Sequence, residues 1–279
     1  MNPTKLHGLK ASDYEHPKDA KALNALENTK GIKKVVKKFY DMGIERLIKL
    51  EYTGSGIKAS KRSFPLLYKA LETACETLNA EVMPELYIQR SEDLQALTLG
   101  VDHPIIVLTS ESVNNLSQEE ILFLFGKEVA HIQSNHVLYQ EIGIIFPQLI
   151  DTLAYVTFGL SGIISGGLRY ALFYWAQMAD YTADRGGLLA CQDTHIAKKM
   201  FAKMAGLPEK HWGTYDYSEF EEQARQFEGY NEKTFDKFMR YIYGNNLWAI
   251  ARAQELMAWV ETGDYQKLLA SKTDNKWTQ

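Results

Sequence analysis

The chain has 279 residues, 46% of them apolar and 24% charged, with a formal net charge of -4. That length supports one substantial core, and the mild acidity gives no reason to expect nucleic acid or an anionic membrane as a partner. Two cysteines, Cys75 and Cys191, read as small buried residues rather than a disulfide or metal pair and suit a reducing compartment.

The N-terminal segment through Lys21 is polar and mixed in charge, without the apolar core of a secretory signal, so cytoplasmic residence is the expectation. Residues 1–30 read as an extended or partly helical lead, with turn signals at Pro3, Pro17 and Gly31. Over residues 31–50, Ile32, Val35, Val36, Phe39, Ile44, Leu47 and Ile48 recur at helical spacing. Thr53-Gly-Ser-Gly56 then reads as a polar turn, followed by a second amphipathic helix over residues 64–78. The chain accordingly divides into an N-terminal helical lead, residues 1–60, and a main domain, residues 61–279.

Strand material follows at Glu85-Leu-Tyr-Ile-Gln89, Gln95-Ala-Leu-Thr-Leu99 and Pro104-Ile-Ile-Val-Leu-Thr109, which suggests a small, mostly antiparallel meander. Ser117-Gln-Glu-Glu120 is a capping box before an apolar run, so a helix is expected from there through His136. Residues 142–174 are strongly apolar, with Asp151 and Arg169 as their charges and a glycine- and serine-rich break at residues 161–167. A buried helical hairpin is the expectation, and a re-entrant or interfacial membrane hairpin is the alternative. A helix over residues 169–190 carries Asp180 and Asp184, four apart and on one face. Beyond it the chain reads as helical, broken near Pro208, Gly229, Gly244 and Gly263.

The chemistry-bearing residues lie on the two central helices. Residues 126–136 read Gly-Lys-Glu-Val-Ala-His-Ile-Gln-Ser-Asn-His. A zinc peptidase of the HExxH type places two histidines four apart on one helix face, with a glutamate beside the first as general base. Glu128 and His131 stand at those positions, but the first histidine is Lys127. A protonated lysine has three donors and no lone pair, so it cannot ligate a metal. His136, about 140° around a continuous helix from His131, does not complete a ligand set and reads as a hydrogen-bonded helix histidine. There is no glycine-rich phosphate loop and no serine or cysteine nucleophile motif.

The order of these elements resembles the M48 peptidases, a zincin-like family that includes bacterial membrane-stress proteases and the CAAX prenyl proteases. The resemblance rests on Leu94-Gln-Ala96, Leu124-Phe-Gly126, His131 through Tyr139, Trp175 and Ala183-Asp-Arg-Gly-Gly-Leu-Leu-Ala-Cys191. Toward the C-terminus it continues in Trp248-Ala-Ile-Ala-Arg252, Trp259 and Gly263-Asp-Tyr265. It implies an α+β, mainly helical peptidase domain whose small sheet presents an edge strand to an extended peptide. By the same resemblance the family's first zinc histidine falls on Lys127 and its third ligand, a glutamate, on Asp180. An arginine typical of the family falls on Gln177, and a His-Pro pair falls on Asn245-Asn246.

Several expectations follow for the site. The Lys127 ammonium pairs with Asp180 and Glu128, removing the repulsion between two facing carboxylates. Glu128 is a general base only if a metal is bound, and His131 and Asp180 are at most weak or vestigial metal ligands. Asp184, which in the family orients a ligand from behind, braces His131 or Arg185. The leading functional expectation is a pseudopeptidase that needs no cofactor and holds a peptide or protein partner in the former cleft. One alternative is an active zinc metalloendopeptidase using His131, Asp180 and a third group. The other is a membrane-associated scaffold anchored through residues 142–174.

Overall fold

The computed structural model describes residues 3–41, 43–145, 166–227 and 249–273. The interior of the apolar stretch at 142–174, the breaks at Gly229 and Gly244, and Asn245 therefore lie outside the described residues. Among the described residues, no helix is long and apolar enough to cross a membrane.

The N-terminal part forms α1 (Ala11–Tyr14), α2 (Pro17–Glu27), α3 (Ile32–Asp41) and α4 (Ile44–Ser55). The helical pattern over 31–50 is thus two helices, because Gly43 takes a left-handed conformation (φ 62°) and turns the chain between them. The segment read as a polar turn continues α4 to Ser55 and leads into a short strand, β1 (Ile57–Ala59). Then come α5 (Pro65–Thr77), β2 (Glu85–Gln89), β3 (Ala96–Leu99), β4 (Ile105–Thr109) and α6 (Ser110–Asn115). The central helix α7 (Gln118–Gln133) is followed by α8 (Val137–Gln140) and a π-helical turn, Glu141–Ile145. After the gap in description, α9 (Gly166–Cys191), α10 (Thr194–Met204), α11 (Tyr217–Gln226), α12 (Ala249–Glu261) and α13 (Asp264–Thr273) complete the chain.

The sheet order is β1-β2-β4-β3, with β2 and β4 parallel and the outer pairings antiparallel. A meander in chain order would put β3 in the middle. Instead β4 is there, because Ile105-Ile-Val-Leu108 is apolar on both faces and fully buried, whereas the first half of β3 is only partly covered. Alternate residues of β4 feed two cores. Ile106 and Leu108 pack with Leu71, Phe123, Phe125 and Leu188, while Ile105 and Val107 pack with Phe39, Leu172 and Trp175. Leu6, Leu9 and Tyr14, from the N-terminal lead, lie in the first of these cores.

Helices α7 and α9 pack closely against each other. A methyl placed at Gly126 would lie 2.3 Å from Ala190 Cβ and 2.8 Å from the Gly186 carbonyl oxygen; at Gly186 it would lie 2.3 Å from Ala130 Cβ. The glycines therefore let the two backbones touch, which sets the residues of the HExxH-like segment against Asp180 and Asp184. Gly186→Ala should separate the helices and lower stability by about 2 kcal/mol, the usual scale of overpacking. Urea denaturation checks this, and an unchanged midpoint would contradict the crossing.

Candidate functional site

Helix α7 begins as its sequence specifies. Ser117 Oγ accepts from the Glu120 backbone N–H at 3.3 Å, and Glu120 Oε2 accepts from the Ser117 N–H at 2.8 Å. The other oxygen of Glu120 meets buried Lys203 of α10 at 2.7 Å, anchoring the helix start. The helix does not reach His136. It stops at Gln133, Asn135 turns left-handed (φ 56°), and the chain folds back. His136 therefore does not lie about 140° around a continuous helix from His131 but returns toward it. The Nδ1 atoms of the two rings lie 3.0 Å apart.

Lys127 sits against Asp180 and Glu128 where α7 crosses α9. Its Nζ lies 3.3 Å from Asp180 Oδ1 and 3.6 Å from Glu128 Oε1, and its side chain is only 12% exposed. His131 Nε2 approaches the same Asp180 oxygen at 3.8 Å. Thr98 of the edge strand β3 donates to Glu128 Oε2 at 2.8 Å, so the sheet edge and the site share a hydrogen bond. Burial alone would drive the proton from Lys127. The neighbouring Asp180 and Glu128 carboxylates outweigh that and the repulsion of Arg252, and hold its pKa above the ordinary lysine value. Burial likewise opposes charge on Asp180, but Arg252, Lys127 and His131 keep its carboxyl well below the usual carboxylate range. The centre is a partly buried ion pair with two further polar neighbours.

Behind His131 runs a chain of buried groups. His136 Nε2 lies 3.1 Å from Asp19 Oδ2, and Asp19 is completely buried at the start of α2. Thr182 of α9 donates to the same Asp19 oxygen at 2.6 Å and accepts from the His16 N–H at 3.0 Å. Burial favours the neutral ring of His136 over the pull of Asp19. If neutral His136 gives its Nε2–H to Asp19, its Nδ1 is left to accept from His131 Nδ1–H. The Gln140 carboxamide lies 3.1 Å from the same His131 Nδ1.

Asp184 is held by neither His131 nor Arg185. Arg252 of α12 grips it from both sides, Nε to Oδ2 at 2.8 Å and Nη2 to Oδ1 at 2.5 Å, with both side chains buried. Arg185 instead donates to the carbonyls of Tyr14 and Glu15. Gln177 is buried on α9, and Asn245 lies outside the described residues. Sequence reasoning missed Asp19, Thr98 and the pairing role of Arg252. Asp19 in a polar lead and Thr98 in a short strand carry no spacing signal. Arg252 was visible only as one residue of a longer resemblance.

Glu141, at the start of the π-helical turn, ties the end of β3 to the end of the site. Its Oε1 accepts from the Gly100 N–H at 2.8 Å, and its Oε2 has no partner among the described residues. Burial raises its pKa to about 7, with some repulsion from Glu45, against the bond from Gly100. The unfolded carboxyl titrates near 4.5, so between that pH and about 7 the folded chain holds a proton that the unfolded chain has lost. Stability contributed by protonated Glu141 is therefore lost as pH rises through this window. Glu141→Gln, always neutral, should be more stable than wild type by about 3 kcal/mol at pH 8 and nearly equal to it at pH 4.5. Urea midpoints at the two pH values check it; equal differences at both would contradict the assignment.

Comparison with known proteins agrees with this geometry. The model of peptidase family M48 matches residues 67–263. A relative from Arabidopsis thaliana, the chloroplastic plastoglobule-localized metallopeptidase 48, is 26% identical over 272 residues, covering 96% of this chain and 78% of the relative. No solved structure matches. The family match begins within α5, takes in α7, α9 and α12 and ends at the Gly263 turn. A match over more than two thirds of the chain, enclosing α7, α9 and α12, carries the conclusion that this chain belongs to peptidase family M48.

Proposed function

We propose that this chain is a non-catalytic member of the family, a pseudopeptidase that holds an extended peptide or partner protein along the open edge of β3. The observation that carries this reading is the Lys127 ammonium, 3.3 Å from Asp180 and 3.6 Å from Glu128. Family members are typically zinc enzymes, but the donor set here does not fit that ion. Lys127 offers no lone pair while protonated, and its raised pKa keeps it protonated at neutral pH. A cation entering the site would face an ammonium already paired with the carboxylates it needs. Glu128, bonded to Thr98 and beside Lys127, then serves as an ion-pair partner rather than a base.

Holding a peptide needs none of that chemistry. Among the described residues β3 is an end strand that pairs only with β4, which leaves its outer edge for strand addition beside the Thr98–Glu128 contact. A bound extended peptide should slow hydrogen exchange at residues 96–99. With casein at neutral pH, wild type and Glu128→Gln should release the same background of soluble peptide, with or without added zinc. Zinc-dependent release by wild type that disappears in Glu128→Gln would contradict the reading.

A further inference from the structure

The net charge of -4 conceals a segregation. Residues 30–62 hold ten lysines and arginines against three carboxylates, so the rest of the chain is correspondingly acidic. In the fold this stretch is α3, α4, β1 and the turn after it, with α3 packed on α4 and α4 on β2 and β3. Helix α3 buries Ile32, Val35 and Phe39 and exposes Lys33, Lys34 and Lys37. Helix α4 buries Ile48 and exposes Arg46, Leu47 and Leu50.

Two further features make this more than a solvated basic face. Leu47 is 47% exposed, Leu50 65% and Ile57 of the adjoining edge strand 64%, large aliphatic side chains left open to water beside the cations. Leu47 and Leu50, three apart, share one face of α4. Next to α3 is a groove of about 520 Å³ lined by Ile32, Val36 and Tyr139 together with Lys33, Lys37 and the carboxylate of Glu27. Among the described residues Lys33, Lys34, Arg46 and Arg62 pair with no carboxylate.

We propose that the corner formed by α3, α4 and β1 docks on an anionic lipid surface. The lysines of α3 and Arg46 meet the head groups, and Leu47 and Leu50 enter the boundary with the acyl chains. Cations interleaved with outward aliphatic side chains on short helices match the chemistry of such a surface, where charge attracts and apolar burial adds. The surface does not use the cleft and stands whether or not the site is catalytic.

The test is co-sedimentation of the full chain with vesicles of phosphatidylcholine alone or with 30 mol% phosphatidylglycerol, at about 0.1 M salt. Wild type should bind the anionic vesicles and be weakened by salt. Each lysine is worth about 1 kcal/mol near such a surface, so Lys33→Gln/Lys34→Gln/Lys37→Gln should lower the partition coefficient roughly a hundredfold. Leu47→Ser/Leu50→Ser should lower it about tenfold, with melting temperature unchanged in both variants. Failure of wild type to prefer anionic vesicles would overturn the proposal. So would retention of full binding by both variants, which would place the membrane contact elsewhere in the chain. Binding of the wild type to an acidic protein in preference to anionic vesicles would also overturn it.

Discussion

The double substitution Lys127→His/Asp180→Glu should create zinc affinity that the wild-type chain lacks. It removes the cation and puts a neutral imidazole four residues before His131, while the longer carboxylate extends from α9 toward both. The close crossing of α7 and α9 at Gly126 and Gly186 already holds these positions against each other. The chain of contacts from Asp19 through His136 holds the His131 ring in place beside them. A ligand that binds only the folded state at about a hundredfold over its Kd stabilises by about 2.7 kcal/mol, which for a chain of this size raises Tm by roughly 5–10 °C. Lys127→Ala alone should show no zinc-dependent rise. It leaves Asp180 and Glu128 without the cation between them and adds no ligand. A folded double mutant with no zinc-dependent change in Tm would mean that Asp180 is not the counterpart of the family's third ligand.

Arg252→Met should be the most destabilising single substitution in the site, lowering stability by about 3–5 kcal/mol, the cost of leaving a buried charge without its partner. Asp184 would lose both of its hydrogen bonds to Arg252. Asp184→Leu combined with Arg252→Met removes both charges, and should recover much of the loss because no orphaned carboxylate remains. The acid limb carries a second signature. Asp180 has a depressed folded-state pKa, so it contributes stability above its unfolded pKa that is lost as pH falls. Arg252 is the strongest of the groups holding that carboxyl low, so in Arg252→Met the acid-unfolding midpoint should move to higher pH. Urea and acid titrations of the three forms check both effects. A loss below 1 kcal/mol with an unmoved acid midpoint would contradict the pairing.

Much of this architecture was legible because its signals are local. The capping box at Ser117 fixes where α7 begins, whereas the close approach of Gly126 to Gly186 depends on how α7 and α9 cross and carries no spacing signal of its own. The unbroken apolar run at 105–108 announced a strand, though not that it would displace β3 from the middle of the sheet; that depends on which strand can be covered on both faces. The strand at 57–59 was illegible, since three residues with an exposed isoleucine carry no period and are held by pairing with β2. In the site, the juxtaposition of Lys127, Glu128, His131 and Asp180 follows from helix spacing and family order. The Asp19–His136 contact does not. It joins residues 117 apart in sequence through a left-handed turn at Asn135 that ends the helix early. Asn is among the residues that accept that conformation, so the turn could have been suspected, but nothing in the sequence says which distant carboxylate the displaced histidine meets.

Zinc titration into the wild-type chain by calorimetry at pH 7.5, with metal content of chelator-free protein measured alongside, tests most directly whether the Lys127 charge has replaced a metal ligand. Well below one zinc per chain and no saturable heat at micromolar zinc are the predicted results. One tightly bound zinc per chain, lost on Asp180→Ala or His131→Ala in a protein that remains folded, would contradict the account and return this chain to the metallopeptidases that act through their metal.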